Sequence, residues 1–444
     1  MTGASSTGLA PDPVLPHRDA LLEAGGLSGR LPALLGLPAP PAGAGRVEIV
    51  RAKYRIGESL RVTYRLPAGA AGRRDGRADD MLVSARMFRP GRLDAEVESA
   101  VARGCAPVAV PALETVLWTF PDDRRLSGLD VLTDPPDHAR AGVAGWSSSR
   151  LLAYAPEKAA TVVCLDAAGR PVAFAKVYAG NAAARAHEIL RVAHAHAGPA
   201  LTVPAAVGHL EQHRMTLQSV APGTPLAVLR APSWPAPMRA LGRALAAVHA
   251  LPAGHLGPFA RLGTRRVERS AELVAAAVPA VADDVTRLAA DLIAAAPACR
   301  ADGPVVHLHG DVHPRNVLVH AEGDAVSLVD LDQAGTGTPA ADLAAMVARL
   351  LHPRPGGPSP AVGAAAADEL LGGYAAAAPW GAPDPADLAW HVAAVLLVER
   401  ALRHVNCVDV AGIAELPAVL ATARAWLRRA TSPPARPTLV EVSR

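Results

Sequence analysis

Two stretches of this sequence repeat one pattern, and that repetition constrains the fold more than any other feature. Tyr54–Leu66 and Tyr154–Leu165 are both rich in β-branched and aromatic residues. Each is followed by a turn and a second run of the same kind, Leu82–Phe88 after a Gly-rich turn and Val172–Tyr178 after a turn at 166–170. Runs of this composition bounded by turns read as β-hairpins. ARMF at 85–88 aligns with AKVY at 175–178, and a glutamate follows twelve residues after each basic residue, Glu98 after Arg86 and Glu188 after Lys176. Both glutamates fall in segments expected to be helical. Self-similarity of this kind marks a duplicated unit.

From about residue 222 the pattern becomes helical. Met238, Leu241, Leu245 and Val248 recur at helical spacing, and further helices are expected over 270–296, 339–351, 361–376, 385–404 and 414–429. Between them 305–331 reads as a short β island. Residues 1–46, rich in Pro, Gly and Ala, read as a loosely ordered leader with one short helix near 18–24. The division expected is a leader at 1–46, a first β-rich unit at 47–135, a second at 136–220, a helical lobe at 221–432 and a frayed tail at 433–444.

A chain of 444 residues has room for two or three domains, and with 50% hydrophobic but only 3% aromatic residues its core must be mostly Ala, Leu and Val. The net charge of +3 is small and the arginines are scattered, which gives no case for a nucleic-acid partner. Cys105, Cys164, Cys299 and Cys407 form no CxxC pair and suit free thiols in a reducing compartment. The first residues lack the basic and apolar regions of a signal peptide, and the apolar run Leu388–Val398 is too short to span a bilayer. A soluble cytoplasmic protein with no membrane partner is expected. Of 44 basic residues only Lys53, Lys158 and Lys176 are lysines, so each invites a reason.

HLHGDVHPRN, residues 307–316, admits two chemistries. His307, His309 and His313 with Asp311 could ligate a metal, as in the HxHxDH pattern of metallo-β-lactamase-like zinc hydrolases. Val312 spoils that spacing by separating Asp311 from His313. Alternatively the stretch is a kinase catalytic loop, which needs a base for the acceptor hydroxyl and oxygen ligands for Mg²⁺. A tight turn at Glu322–Gly323 would return the chain so that Asn316 lies opposite Val329 or Asp330. An amide oxygen and a carboxylate then converge beside Asp311. Taken singly, Asp330 and Asp332 could be turn residues, Asn316 a left-handed loop residue and His309 a structural hydrogen-bonder.

HGDVHPRNVLV at 309–319, LVDLD at 328–332 and PAADLA at 339–344 together resemble the aminoglycoside phosphotransferase and choline kinase-like family, over roughly residues 150–430. The resemblance implies an α+β, protein-kinase-like bilobal fold, with a small β-rich N-lobe and a mainly helical C-lobe, that phosphorylates small molecules. It implies Asp311 as catalytic base, Asn316 and Asp330 as Mg²⁺ ligands, and Asp342 as a structural aspartate. Lys176, paired with Glu188, would contact the phosphates of ATP or GTP, a task suited to a compact point charge. Backbone groups near Ser219 and Ala221 would meet the base at the hinge. His309 and Asp332 would stand behind these groups.

The first copy carries Arg86 where the second has Lys176, and no second loop follows it. It is therefore expected to be an N-lobe-like cap, packed on the functional lobe or over the acceptor cleft. Maltokinase-like relatives carry an additional amino-terminal cap, to which WTFPDDRRL at 118–126 is similar. Deleting residues 1–135 is expected to leave a soluble but impaired enzyme. From residue 345 onward eight acidic residues stand against nine arginines, no sign of a site for a polycation, so the balance favours a neutral hydroxylated acceptor. A catalytically silent nucleotide-binding module and a zinc hydrolase are the alternatives.

Overall fold

The structure is a computed structural model that describes residues 7–23, 25–38, 45–67, 80–133, 142–254, 256–259, 262–299, 303–353 and 357–431. The Gly-rich turn after Leu66 and the tail 433–444 lie outside these residues.

A 3-10 turn at Arg18–Leu21 and helix α1 (Leu27–Leu34) precede the first unit. That unit holds β1 (Glu48–Arg55), β2 (Ser59–Leu66), β3 (Met81–Phe88), α2 (Leu93–Val101), β4 (Val108–Val110) and β5 (Thr115–Thr119). After α3 (Leu129–Thr133) the second unit holds β6 (Ser148–Ala155), β7 (Ala159–Leu165), β8 (Pro171–Tyr178), α4 (Ala182–Ala195), β9 (Ala206–Leu210) and β10 (Met215–Ser219). The sheets run β1-β2-β3-β5-β4 and β6-β7-β8-β10-β9, antiparallel throughout. Tyr54–Leu66 and Tyr154–Leu165 are not single strands. A turn interrupts each, with Gly57 at φ 68° and Glu157 at φ 58°. A glycine adopts that region freely, whereas a glutamate there leaves no sequence signal.

The duplication extends further than its strands. In the first copy Asp12 accepts from the Tyr54 hydroxyl at 2.6 Å, the Gly57 amide at 3.0 Å and the Val14 amide at 2.9 Å. In the second, Asp123 accepts from the Tyr154 hydroxyl at 2.8 Å, the Glu157 amide at 2.7 Å and the Arg125 amide at 2.8 Å. The segment around Asp12 therefore does for the first sheet what the segment around Asp123 does for the second. This corrects the reading of 1–46 as loosely ordered, since Leu9, Leu15, Leu21, Leu27 and Leu31 are all buried. Their spacing follows neither a helical nor a strand period, so pattern reading misses them.

The second lobe begins with β11 (Thr224–Pro225), α5 (Pro235–His249), α6 (Thr264–Ala277) and α7 (Ala282–Cys299). One helix was expected over 270–296. Instead Pro279–Val281 forms a 3-10 turn, because proline lacks the amide a continuous helix needs. The β island follows as β12 (Val306–Leu308), β13 (Val317–Val319), β14 (Val326–Leu328) and β15 (Gly335–Gly337). Val317 pairs with Leu328 and Val319 with Val326, the expected register, although the loop is closed one step further out, by His320 and Ala325.

Then come α8 (Ala340–Leu351), α9 (Pro360–Ala377) and α10 (Pro385–Val395). A π-turn at Leu396–Ala401 leads into α11 (Leu402–Cys407), α12 (Val410–Ala414) and α13 (Leu416–Thr431). Helices α5 and α9 approach so closely that a Cβ on Gly242 would stand 2.2 Å from the Leu370 carbonyl oxygen. One core cluster joins the back of the first sheet, its leading segment and these helices, while the back of the second sheet forms a separate core with Leu126, Leu129 and Trp146. No helix among the described residues is long and apolar enough to cross a membrane.

Candidate active site

Strand β12 delivers the chain into the loop at 309–316, where Gly310 has φ 78° and packs against the following segment. A Cβ there would stand 2.2 Å from the Gln333 carbonyl oxygen, so both the backbone angle and the space require glycine. Asp342, in the first turn of α8 and 1% exposed, accepts from the amides of His309 at 2.7 Å and Gly310 at 2.9 Å. His249, at the end of α5, lies 3.2 Å from the same carboxylate and 2.9 Å from the Tyr374 hydroxyl. Burial alone would raise the Asp342 carboxyl, but His249 and the Gly310 amide hold it below the usual range.

The four histidines of this region turn to different partners. His309 Nε2 meets the Val329 carbonyl at 3.1 Å and its Nδ1 accepts from the Asp311 amide at 3.3 Å, which fixes the neutral Nε2–H tautomer. His307 Nδ1 meets the Pro252 carbonyl at 3.2 Å, His313 Nδ1 accepts from the Arg315 amide at 3.2 Å, and His320 Nε2 meets the Ser327 hydroxyl at 2.9 Å. Among the described residues no group of three or more His, Cys, Asp or Glu is placed to hold a metal ion. The histidine-ligated zinc reading therefore has no cluster among the described residues to rest on, each ring being turned to a different neighbour.

Asn316 is 6% exposed, and its Nδ2 donates to the Asp311 carbonyl at 3.1 Å, leaving Oδ1 without a hydrogen-bond donor. Its own carbonyl accepts from the Val329 amide at 3.1 Å, which sets it beside Asp330 as the hairpin register requires. Asp330, just beyond β14, adopts φ 65° in the left-handed region. His313 Nε2 stands 4.0 Å from Asp311 Oδ2. Burial pushes the His313 imidazole down to about 4, against the opposing pull of Asp311, so the ring is neutral at ordinary pH.

Lys176 Nζ bridges Asp330 Oδ1 at 2.7 Å and Asp332 Oδ2 at 2.6 Å, joining the β-rich lobe to the loop lobe. Burial opposes the lysine's charge, yet the two carboxylates outweigh it and raise its pKa. Burial likewise works against ionised Asp330, but Lys176 holds that carboxyl low; for Asp332, burial and the neighbouring Asp330 charge win and raise it. Beside this trio lies a cleft of about 310 Å³ lined in part by Tyr178, His187, Thr216 and Gln218.

The expected Lys176–Glu188 pair does not form. Glu188 is 46% exposed and pairs with Arg191 on its own helix at 2.7 Å. The buried stripe of α4 runs through Ala183, Ala186, Leu190 and Ala193, and Glu188 lies about 200° round the helix from Leu190. The contact from α4 is made instead by Arg185, which donates to the Ala334 carbonyl at 2.5 Å. Nothing in the sequence distinguishes Arg185 from its neighbours, and His249 was equally invisible there. At the hinge, Ser219 is less open than expected, since its amide donates to the Ala205 carbonyl at 3.0 Å. Ala221 follows in the connection to β11, and its amide makes no backbone hydrogen bond among the described residues.

Residues 144–380 match the family model described as APH, phosphotransferase enzyme family. Among solved structures, a choline/ethanolamine kinase family protein from Mesorhizobium loti is 18% identical with TM-score 0.46, the match covering 69% of this chain and 98% of that one. Amicoumacin kinase hAmiN in complex with AMP-PNP, Ca²⁺ and Ami is 13% identical with TM-score 0.48, covering 68% and 95%. The aminoglycoside phosphotransferase APH(3'')-Id from Streptomyces rimosus is 20% identical with TM-score 0.40, covering 58% and 95%. No curated protein matches the chain.

Proposed function

The chain belongs to the phosphotransferase enzyme family, and from that premise we propose that it transfers the γ-phosphoryl group of ATP or GTP to a hydroxyl of a small metabolite, sugar or antibiotic. The observation that carries this reading is the Lys176 ammonium held between Asp330 and Asp332, beside the loop that presents Asp311 and Asn316. Phosphoryl transfer depends on positioning and on charge stabilisation, and these are the groups it requires.

In this reading Asp311 accepts the proton of the acceptor hydroxyl and orients its oxygen for in-line attack. Asn316 Oδ1 and the Asp330 carboxylate are hard oxygen donors and fit Mg²⁺, with Asp332 behind them. That ion supplies charge neutralisation on the phosphates. Lys176 positions the nucleotide phosphates, the Ala221 amide meets the base, and His309 and Asp342 hold the loop. Asp330 and Asp332, not Glu188, hold Lys176, and Arg185 ties α4 to the segment carrying Asp332.

The acceptor is a neutral hydroxylated molecule such as a sugar. Two carboxylates of the helical lobe are already matched to arginines, Glu369 with Arg239 at 2.6 Å and Glu399 with Arg349 at 3.1 Å. Those two charges are not free to meet a polycation. The test is Mg²⁺-dependent release of ADP or GDP across sugars, aminoglycosides and amino alcohols, with Asp311→Asn as control. Turnover with a sugar that the substitution abolishes is the expected result. Turnover only with polyamines overturns the acceptor, and nucleotide-induced thermal stabilisation without turnover on any acceptor points to a silent binding module.

A further inference from the structure

Of the three lysines that stand out in an arginine-rich chain, Lys176 belongs to the candidate active site. The other two face a different space. Lys53 and Lys158 line a cleft between the first sheet and the β6–β7 turn, together with Arg51, Arg61, Thr63, Ala155 and Pro156. The cleft holds about 270 Å³ of empty space, part of it open to solvent, and shares no lining residue with the cleft beside Lys176.

Its charges are arranged at a cost. Lys53 lies directly across the ladder from Arg61, and Arg61 directly across from Arg86, so three cations stand in a row over three strands. Like charges in facing positions destabilise a sheet. Glu157 offsets part of this, pairing with Arg61 at 2.6 Å and with Arg86. It does not reach the rest: Arg51, Lys53 and Lys158 make no ion pair and no side-chain hydrogen bond among the described residues.

Two polar groups at the cleft are also without partners. Thr63 is 4% exposed, and its hydroxyl makes no hydrogen bond among the described residues. Arg61 Nε is buried and unpaired. Buried donors ordinarily find acceptors, so Arg61 Nε, unpaired beside cations that lack a counter-charge, marks a place for an anion. Burial and then the surrounding cations push the Lys53 amine down to about 8, a local measure of the same unbalanced charge.

We propose that this cleft is a binding site for a phosphate-bearing small molecule, with Arg51, Lys53, Arg61 and Lys158 supplying the charge and Thr63 a hydroxyl. Arg51, Lys53 and Lys158 line the cleft without a counter-charge, and three unmatched cations favour a phosphate or pyrophosphate group over a single carboxylate. The site stands on this geometry alone and does not depend on the proposed kinase activity. Because Lys158 is part of the β6–β7 turn, an anion here also ties that turn to the first sheet.

The experiment uses the full chain and pyrophosphate as the probe, with sodium chloride at matched ionic strength as control. Pyrophosphate is expected to raise the Tm of the wild type and of Lys176→Met, but not of the double variant Arg51→Gln/Lys53→Gln. Without the anion the double variant is expected to be at least as stable as the wild type, since it removes like-charge repulsion. Should the variant fail to fold, acylation of Lys53 at pH 8, read by mass spectrometry in the wild type, decides. Pyrophosphate at ten times its dissociation constant should slow that reaction roughly tenfold. An equal effect from chloride, a Tm shift that survives in the double variant, or unchanged acylation of Lys53 overturns the site.

Discussion

Glu157 reaches out of its own sheet to form an ion pair with Arg86, the residue that holds in the first sheet the position Lys176 holds in the second. The carboxylate is 3% exposed and also pairs with Arg61 at 2.6 Å and Arg124 at 2.9 Å. The basic residue at the lysine position of the first copy thus takes its counter-charge from a side chain of the second. The two sheets are coupled through the β6–β7 turn.

Glu157→Gln should therefore be costly. Removing one member of a buried ion pair leaves the other uncompensated, and here Arg61 and Arg86 lose their counter-charge while Arg124 keeps Glu96, so a loss of about 3–5 kcal/mol is expected. Burial raises the Glu157 carboxyl, but Arg61, Arg86 and Arg124 outweigh it and hold it below the usual glutamate value. The stabilisation is then fully present above pH 4.5 and is lost as pH falls through the lower folded value. Urea denaturation of both proteins should show a gap at pH 7 that narrows only in acid. A gap under 1 kcal/mol at pH 7 would mean the network is solvated.

Asp311→Asn and Lys176→Met separate two roles at the candidate active site. Loss of a general base lowers kcat by about 10²–10⁴-fold, with nucleotide affinity retained. Lys176→Met should raise the nucleotide KM and also leave Asp330 and Asp332 facing each other without their shared ammonium. Steady-state kinetics with nucleotide as the varied substrate distinguish the two. Equal effects on KM from both variants would remove the distinction between base and phosphate ligand.

The placement of the candidate loop residues was legible because their spacing is dictated by local geometry. The hairpin register sets Asn316 beside Asp330, whereas the roles expected for Asp311, Asn316 and Asp330 came from the family resemblance. Glu188 was misplaced because an offset of twelve residues says nothing about which face of a helix it reaches. The leading segment around Asp12 was misjudged for a related reason. Its leucines fill a surface offered by another part of the chain, and no local period records that surface. Glu157 was invisible because its left-handed turn and three arginine partners come from three separate segments.

The leading segment and first sheet share a core cluster with the helical lobe, and β1 packs on α11. A chain beginning at Phe120 would expose the apolar surfaces of that lobe that Leu9, Leu15 and the first sheet now cover. It would also retain Glu157 without Arg61 and Arg86. The sequence suggested that a chain truncated in this region stays soluble with impaired activity. The structure instead predicts aggregation, or strong binding of a hydrophobic dye, at temperatures where the full chain is folded. A monomeric truncated protein on size exclusion with a cooperative melt would show that the second unit and helical lobe fold without the first.

Asp342→Asn tests how the loop is held. The carboxylate accepts from two amides of the loop and faces His249, and Asn can supply only one oxygen. Its NH₂ group must then confront at least one donor. Each buried donor left unsatisfied costs about 1–3 kcal/mol, so a total near 3 kcal/mol is expected in chemical denaturation. The chemistry should suffer separately from nucleotide binding, because Asp342 touches the residues preceding Asp311 and not Lys176 or the hinge. A fall in kcat at constant nucleotide KM is the expected signature. In a His249→Ala background the substitution should cost less than it does alone, since the two groups share one network. Strict additivity would show that His249 does not support the Asp342 carboxylate and that the amides of His309 and Gly310 alone fix it.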